Sequence, residues 1–195
     1  MKKLAIFDLD GTLLYTLEDL HASTNFALES EGLPARSLDE VRCFVGNGIR
    51  KLIERAVPDG CAPDVTDRVF AAFKRHYAEN CMVLTRPYPG IPEMLAALRA
   101  RGWKLGVVSN KADEPVKALI AHYFPGVFDS VVGERENVRK KPAPDSVFET
   151  VGSLGCDIGQ AVYIGDSDVD GQTAANAGCD CVMVSWAFRG RATRR

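Results

Sequence analysis

The chain has 195 residues, 46% of them hydrophobic and 26% charged, which is enough for one globular domain or a domain with an insert. With 24 basic and 26 acidic residues its net charge is −2, which argues against a general nucleic-acid binder. Because no apolar run is long enough to span a membrane, no signal peptide is evident and no cysteine pair suggests a zinc module, we expect a reduced, cytoplasmic protein.

The first predicted strand, Leu4–Phe7, runs directly into the motif Asp8-Leu9-Asp10-Gly11-Thr12. Two carboxylates two residues apart at a strand end face the same space. Gly11 permits a turn that other residues resist. Since four such specified residues seldom occur together by chance, the motif favours a function for Asp8 and Asp10 over a simple acidic turn.

Helical patterns fill the next part of the chain, in which we find no convincing strand. Ser37-Leu38-Asp39-Glu40, for example, is a capping box that opens a helix. We therefore expect an α-helical insert at residues 14–84. The α/β core is then residues 1–13 together with 85–195, and the proline-rich residues 86–92 form a stiff connector leading back to it.

Beyond this connector, short apolar runs alternate with segments of helical spacing. The predicted strands are Trp103–Val108, Ser130–Val132, Ala161–Ile164 and Cys181–Val184. The predicted helices begin near Pro92, Asp113, Asp145 and Asp170. This alternation predicts an α/β fold with a parallel sheet covered on both faces. The arginine-rich residues 189–195 predict a solvated tail.

Polar side chains follow three of these strands. Ser109 and Asn110 come at the end of the strand Trp103–Val108, and Lys141 comes after Ser130–Val132. Asp166 and Asp170 follow Ala161–Ile164. Taken singly they are weak signals, because serine and asparagine are ordinary turn residues and a lone lysine is usually solvated. Their shared position favours a site, because ligands bind beyond the carboxyl ends of the strands in an open α/β sheet.

The residue types also indicate what this site binds. Clustered carboxylates repel one another unless a cation lies among them, and oxygen ligands select a hard ion such as Mg²⁺. Ser109, Asn110 and Lys141 would then hold the oxygens of a phosphate. The sequence therefore predicts a site for Mg²⁺ and a small phosphorylated metabolite.

These motifs, in this order, resemble those of the haloacid dehalogenase superfamily. Residues 8–13 are similar to its first motif, Ser109 to its second, Lys141 to its third and residues 165–170 to its fourth. The resemblance covers residues 4–188 and implies a Rossmann-like α/β core with an inserted α-helical cap of type I. Within the superfamily, the segments Val45-Gly46-Asn47-Gly48 and Arg139–Pro144 look most like phosphoglycolate phosphatases.

The resemblance implies a magnesium-dependent phosphatase. Asp8 would attack phosphorus and form an aspartyl-phosphate, while Asp10 would protonate the leaving oxygen and then activate water. The resemblance assigns Mg²⁺ to Asp8, the Asp10 backbone carbonyl and Asp166, with Asp170 supporting these ligands from outside.

Two residues of the expected cap are candidates for substrate binding. Asn47 lies between two glycines that let backbone amides approach a ligand. Arg50, in the first turn of the helix that follows, could bind a carboxylate such as that of phosphoglycolate. A solvated arginine on a helix surface is the more common situation.

Other functions use similar residues. A β-phosphoglucomutase-like sugar phosphomutase would use the same carboxylates and differ only in its products. A dehalogenase does not need an acid at position 10. A phospho-accepting signalling domain would leave both Asp10 and the helical insert unexplained, and a non-catalytic binding relative is a further alternative. No pattern in the sequence indicates the oligomeric state.

Overall fold

The structure is a computed structural model that describes residues 2–186 and 188. The predicted arginine-rich tail lies outside the described residues. The described chain divides into two compact units. One consists of the N-terminal segment through Leu14 together with the chain from Pro87 onward, and the other is Tyr15–Arg86.

A parallel sheet forms the centre of the first unit. In chain order, the strands of the described residues are β1 (Leu4–Phe7), β2 (Leu14–Tyr15), β3 (Arg86–Pro87), β4 (Lys104–Ala112), β5 (Ser130–Glu134), β6 (Ala161–Gly165) and β7 (Asp180–Met183). The sheet has the order β5-β4-β1-β6-β7, with every pair parallel. The predicted α/β fold with a parallel sheet is therefore confirmed.

Helices connect the strands of this unit and cover the sheet. They are α5 (Ile91–Ala100), α6 (Asp113–Tyr123), α7 (Asp145–Ser153) and α8 (Asp168–Ala177). The four residues of β1 are at most 1% exposed, as expected for a central strand covered on both faces. No helix in the described part of the chain is long and apolar enough to cross a membrane.

The register of the central strands sets the position of the site. Phe7, the last residue of β1, is paired with Val107 of β4 and with Ile164 of β6. The residues that follow these three positions therefore leave the sheet at the same level.

Strand β4 is longer than predicted, because it continues past Val108 to Ala112. Its register with β5 shifts between these two residues, which is an irregularity of the bulge type. Bulges redirect side chains and are common beside active sites. The prediction ended early because it followed the apolar run, and Ser109, Asn110 and Lys111 are polar.

The second unit is helical. Its helices are α1 (Leu17–Glu29), α2 (Leu38–Phe44), α3 (Ile49–Ala56) and α4 (Pro63–Asn80). The predicted capping box is present at the start of α2, where the Glu40 backbone N–H donates to the Ser37 hydroxyl and the Ser37 backbone N–H donates to the Glu40 carboxylate. The buried Asp19 carboxylate accepts hydrogen bonds from the Leu84 and Thr85 backbone N–H groups, which ties the end of the unit to α1.

One detail of the predicted insert and connector was wrong. The short strands β2 and β3 pair with each other, although we expected no strand between residues 13 and 84 and only a stiff connector at 86–92. The helix predicted to begin near Pro92 is present as α5, which begins at Ile91. Strands of two residues are too short to produce an alternating pattern, so the sequence could not show them.

Candidate active site

Polar side chains meet at the carboxyl ends of the three central strands. Asp8 directly follows β1, Ser109 lies in the final part of β4, and Asp166 directly follows β6. The register of the sheet places them at one edge, where the open α/β architecture binds ligands. Lys141 and Asp170 join them from the segments before α7 and in the first turn of α8.

Lys141 connects two of these carboxylates. Its Nζ donates to Asp8 Oδ1 at 2.8 Å, to Asp170 Oδ1 at 2.7 Å and to the Tyr163 hydroxyl at 3.1 Å. A lysine ammonium has three protons, so these three partners determine its orientation. The Lys141 side chain is only 5% exposed, and a charge buried to this degree requires such partners.

Asp170 has a second structural role. Its Oδ2 accepts hydrogen bonds from the Ser167 hydroxyl at 2.6 Å and from the Ser167 and Asp166 backbone N–H groups. Ser167 and Asp170 thus form a capping box at the start of α8. Both carboxylate oxygens of Asp170 are engaged, which suits a residue that positions Lys141 and Asp166.

Tyr163 is a member of the site that the sequence analysis missed. Its hydroxyl is buried and lies 3.2 Å from the Val108 carbonyl oxygen and 3.3 Å from Asp170 Oδ1, either of which can accept its proton. In the sequence, Tyr163 resembles any large residue of an apolar strand. The available signal was that a buried tyrosine hydroxyl needs a hydrogen-bond partner.

Lys111 is a second residue that the analysis did not assign. Its Nζ lies 3.1 Å from Oδ1 and 3.2 Å from Oδ2 of Asp10. Lys111 and Ser109 are two residues apart on one strand, which is the spacing that places side chains on the same side. That spacing could have indicated that Lys111 belongs to the site.

The structure gives Ser109 and Asn110 different surroundings. The buried Ser109 hydroxyl accepts a hydrogen bond from the Lys111 backbone N–H at 3.2 Å, so its own proton can still be donated to a ligand. The Asn110 side chain instead donates to the Lys141 carbonyl oxygen and accepts from the Lys141 backbone N–H. Asn110 therefore fixes the backbone of Lys141.

Two glycines make room for the carboxylates. A Cβ atom at Gly11 would lie 2.5 Å from Asp166 Oδ2, and Gly11 has a φ of +87°, in the region that favours glycine. A Cβ atom at Gly165 would lie 2.3 Å from the Asp170 Cβ. Side chains at either position would displace a carboxylate of the cluster.

The charges of the site are unbalanced. Within the part of the chain that the structure describes, the cations paired with Asp8, Asp10, Asp166 and Asp170 are two lysines, Lys111 and Lys141. Burial, together with repulsion from Asp170 and Asp166, raises the pKa of Asp8 to about 8 although Lys141 opposes the rise. Burial and repulsion from Asp170 raise the pKa of Asp166 to about 7. Burial opposes the charged form of Asp170 as well, but Lys141 and Ser167 lower its pKa.

This arrangement fits a divalent cation. Carboxylate oxygens of Asp8, Asp166 and Asp170 lie within 4.8 Å of one another. Oxygen donors of this kind suit hard divalent ions. Lys141 and Ser167 stabilise the charged form of Asp170. The negative charges of Asp8 and Asp166, whose pKa values are raised, are less well compensated, so a bound cation would stabilise these two carboxylates most.

The cap candidates have partners within the helical unit. The Arg50 guanidinium lies 3.0 Å from Glu54 and 2.5 Å from Asp67, and it stacks over the Phe70 ring. The Asn47 side-chain oxygen accepts a hydrogen bond from Arg55 at 2.9 Å. Substrate contacts by Asn47 and Arg50 stay predictions.

A sequence profile described as haloacid dehalogenase-like hydrolase matches residues 5–184. The chain belongs to this family, which confirms the resemblance drawn from its motifs.

Individual relatives agree with this assignment. A phosphoglycolate phosphatase from Aquifex aeolicus (strain VF5) is 35% identical over 187 residues, which cover 95% of this chain and 86% of the relative. A solved candidate phosphoglycolate phosphatase from Lactobacillus delbrueckii subsp. bulgaricus is 37% identical with a TM-score of 0.92, covering 98% of this chain and 90% of the other. CbbY from Rhodobacter sphaeroides, solved in complex with phosphate, is 25% identical with a TM-score of 0.78, covering 100% and 90%.

Proposed function

We propose that this chain is a Mg²⁺-dependent phosphatase that hydrolyses a small phosphate monoester through an aspartyl-phosphate on Asp8. The observation that carries the proposal is the position of Asp8, a buried carboxylate at the end of the central strand with Lys141 Nζ at 2.8 Å. Membership of a hydrolase family and relatives named phosphoglycolate phosphatase support the same class of reaction.

Asp8 and Asp10 would divide the chemistry between them. An Asp8 oxygen attacks phosphorus, the bond from phosphorus to the leaving oxygen breaks, and Asp10 gives its proton to that oxygen. In the second half, Asp10 takes a proton from water, which attacks the phosphoryl group and releases phosphate and Asp8. The surroundings of the two carboxylates differ, because Asp8 is held by Lys141 and Asp10 by Lys111.

The other side chains would bind the phosphate. A carboxylate facing one phosphate charge at about 4 Å is repelled by roughly 4 kcal/mol at an effective dielectric constant of 20. Lys141 and the Ser109 hydroxyl would reduce this cost by donating to phosphate oxygens, with Asn110 holding the Lys141 backbone. Asp8, Asp166 and the Asp10 backbone carbonyl would hold Mg²⁺, whose charge, when bound, offsets the remaining repulsion.

The helical unit, Tyr15–Arg86, would serve as the cap that selects the leaving group and excludes water. The substrate we favour is a small carboxylated phosphate ester of the phosphoglycolate kind, because relatives covering most of the chain carry that name. A cytoplasmic location is part of the proposal and is supported by the six cysteines, all of which are free thiols.

The experiment that tests this function measures phosphate release from a panel of phosphorylated metabolites with Mg²⁺ and with excess chelator. We expect turnover of small monoesters that stops with chelator and returns with Mg²⁺. Analysis of the organic product distinguishes hydrolysis from transfer to a second sugar position, which a mutase would produce. Full activity in excess chelator would contradict the metal requirement, and no phosphate release from any monoester would contradict the function.

A further inference from the structure

Lys111 is buried as deeply as Lys141, although the chemistry above gives it no task beyond contact with Asp10. Its side chain is 2% exposed, whereas the Asp10 side chain is 17% exposed. Removing a lysine charge from water is costly unless a partner compensates it. The two Asp10 oxygens, at 3.1 and 3.2 Å, are such partners.

The backbone around Lys111 is fixed from two sides. Its N–H donates to the Ser109 hydroxyl, and the register shift of β4 falls on this segment. On the neighbouring strand, a Cβ atom at Gly133 would lie only 2.8 Å from the Lys111 carbonyl oxygen, so glycine permits the close approach of β5. The base of the lysine side chain is therefore held in place, and its stem directs the ammonium group to Asp10.

Asp10 is less deeply buried than Lys111. It lies in the turn after β1, and its side chain is the more exposed partner of the pair. A general acid must lie within hydrogen-bonding distance of the atom that it protonates, and a small displacement reduces catalysis strongly. A cation close to both carboxylate oxygens limits rotation of the carboxylate about its bond to Cβ.

We propose that Lys111 is a positioning residue that holds the Asp10 carboxylate in the orientation needed to protonate the leaving group. The inference rests on the proposed phosphatase function. A positioning role for Lys111 has a consequence that a purely structural role lacks. Lys111 matters for substrates whose leaving oxygen needs a proton, and matters little for substrates whose leaving group departs without one.

The test compares kcat/KM for an alkyl phosphate and an acyl phosphate in wild type and Lys111→Met, with Mg²⁺ present. The value of kcat/KM reports the steps from free enzyme and substrate up to loss of the leaving group. An alkoxide needs a proton from Asp10, whereas a carboxylate leaving group does not. Methionine keeps the apolar stem and removes the charge. We expect a loss of about 30-fold or more with the alkyl phosphate and less than about 3-fold with the acyl phosphate, since general acid catalysis contributes roughly 10²–10⁴-fold.

Lys117→Met is the matched control. Lys117 also pairs with an aspartate, Asp113, but its side chain is 56% exposed and lies on α6. Both substrates should be hydrolysed by this variant within about 2-fold of wild type, as is usual for exposed ion pairs.

A double-mutant cycle provides a second readout. If Lys111 acts through Asp10, adding Lys111→Met to Asp10→Asn should reduce alkyl phosphate hydrolysis little further. A full additional loss would overturn the inference, as would equal losses on the two substrates or no loss on either. If Lys111→Met does not fold, Lys111→Arg keeps the charge but spreads it over a larger, planar guanidinium, and the alkyl phosphate must again be affected more than the acyl phosphate.

The wild type separates this inference from the function on which it rests. An active wild type with equal losses in Lys111→Met overturns only the role of Lys111. A wild type that hydrolyses neither substrate overturns the proposed function, and the inference with it.

Discussion

Two charge clusters of similar composition lie in the two units of the molecule. In the α/β unit, Lys141 contacts Asp8 and Asp170, and the three side chains are 5%, 11% and 0% exposed. In the helical unit, Arg50 contacts Glu54 and Asp67, and the three side chains are 42%, 35% and 64% exposed. In each cluster one cation lies between two carboxylates, and in the helical unit Lys51 also pairs with Glu54.

Burial is what distinguishes them. Exposed ion pairs contribute about 0–1 kcal/mol, because water and salt screen both partners. Removing one partner of a buried cluster lowers the free energy of unfolding by several kcal/mol, because the remaining buried charge is stabilised neither by water nor by a partner. The comparison teaches that ion pairing alone does not distinguish the two clusters, whereas burial and an excess of carboxylates at a strand end do.

Of the substitutions that test this comparison, one at Asp8 should have the largest effect on activity. Asp8→Asn should lower turnover by at least about 10⁴-fold, because an amide cannot replace the attacking carboxylate. Phosphate release is the measurement. Asp168→Asn is the control, because Asp168 belongs to the acidic run at residues 166–170 but is exposed. It should lose less than about 3-fold, and a comparable loss in both variants would contradict a special role for Asp8.

Adjacent lysines provide the next test. Lys141→Met should lower kcat/KM by about 10²–10³-fold and the free energy of unfolding by about 3 kcal/mol, because Asp8 and Asp170 lose their shared cation. Lys140→Met removes a lysine that is 48% exposed and pairs with Glu134, so its effect on stability should be below about 1 kcal/mol. Chemical denaturation measures the stability of both variants. Equal destabilisation by the two substitutions would show that burial does not determine how much each lysine contributes to stability.

Metal binding should depend on pH in a defined direction. Because the pKa of Asp8 is raised to about 8 and that of Asp166 to about 7 in the folded protein, from an ordinary value of 3.8, folding without metal favours their protonated forms. Their contribution to stability is full below about pH 4 and is lost as the pH rises through 7 and 8. Mg²⁺ competes with these protons, so its affinity should be at least about tenfold higher at pH 8 than at pH 6.

Thermal unfolding with and without Mg²⁺ at the two pH values measures this difference. The increase in Tm on adding Mg²⁺ should be larger at pH 8. Asp166→Asn should remove most of that increase. An equal increase at both pH values, or an increase that survives in Asp166→Asn, would argue against metal binding by these carboxylates.

The smallest effect is expected at the exposed cluster. Because Glu54 and Asp67 already compensate the Arg50 charge, Arg50→Ala should change hydrolysis of phosphoglycolate by less than about 3-fold and stability by less than about 1 kcal/mol. An aryl phosphate without a carboxylate serves as the comparison substrate. A loss of about tenfold or more confined to phosphoglycolate would instead show that Arg50 binds the substrate carboxylate.

The sequence predicted the parallel sheet and the residues at its carboxyl edge because their signals are local. Continuous apolar runs indicate buried strands. Asp8 stands directly after one such run, and Asp166 is separated from another only by Gly165. The spacing of Ser167 and Asp170 also has a local cause, because it is the spacing of a capping box.

Contacts between distant parts of the chain were not predictable in the same way. Lys111 and Asp10 are separated by 101 positions, and Tyr163 on β6 contacts Lys141 in the segment before α7. The hydrogen bonds between the Asn110 side chain and the Lys141 backbone were not predicted, and the phosphate contact of Asn110 stays a prediction. Such pairings depend on sheet register and on the bulge in β4, neither of which has a signature in the sequence.

The central claim is that Asp8 carries the phosphoryl group, and the intact mass of a trapped enzyme tests it most directly. Asp10→Asn, incubated with Mg²⁺ and an acyl phosphate, should accept a phosphoryl group on Asp8 and release it slowly, because it lacks the base that activates water. We predict a mass increase of one phosphoryl group that disappears when Asp8→Asn is added. An increase that persists in the double variant would show that another residue is phosphorylated and would contradict the account.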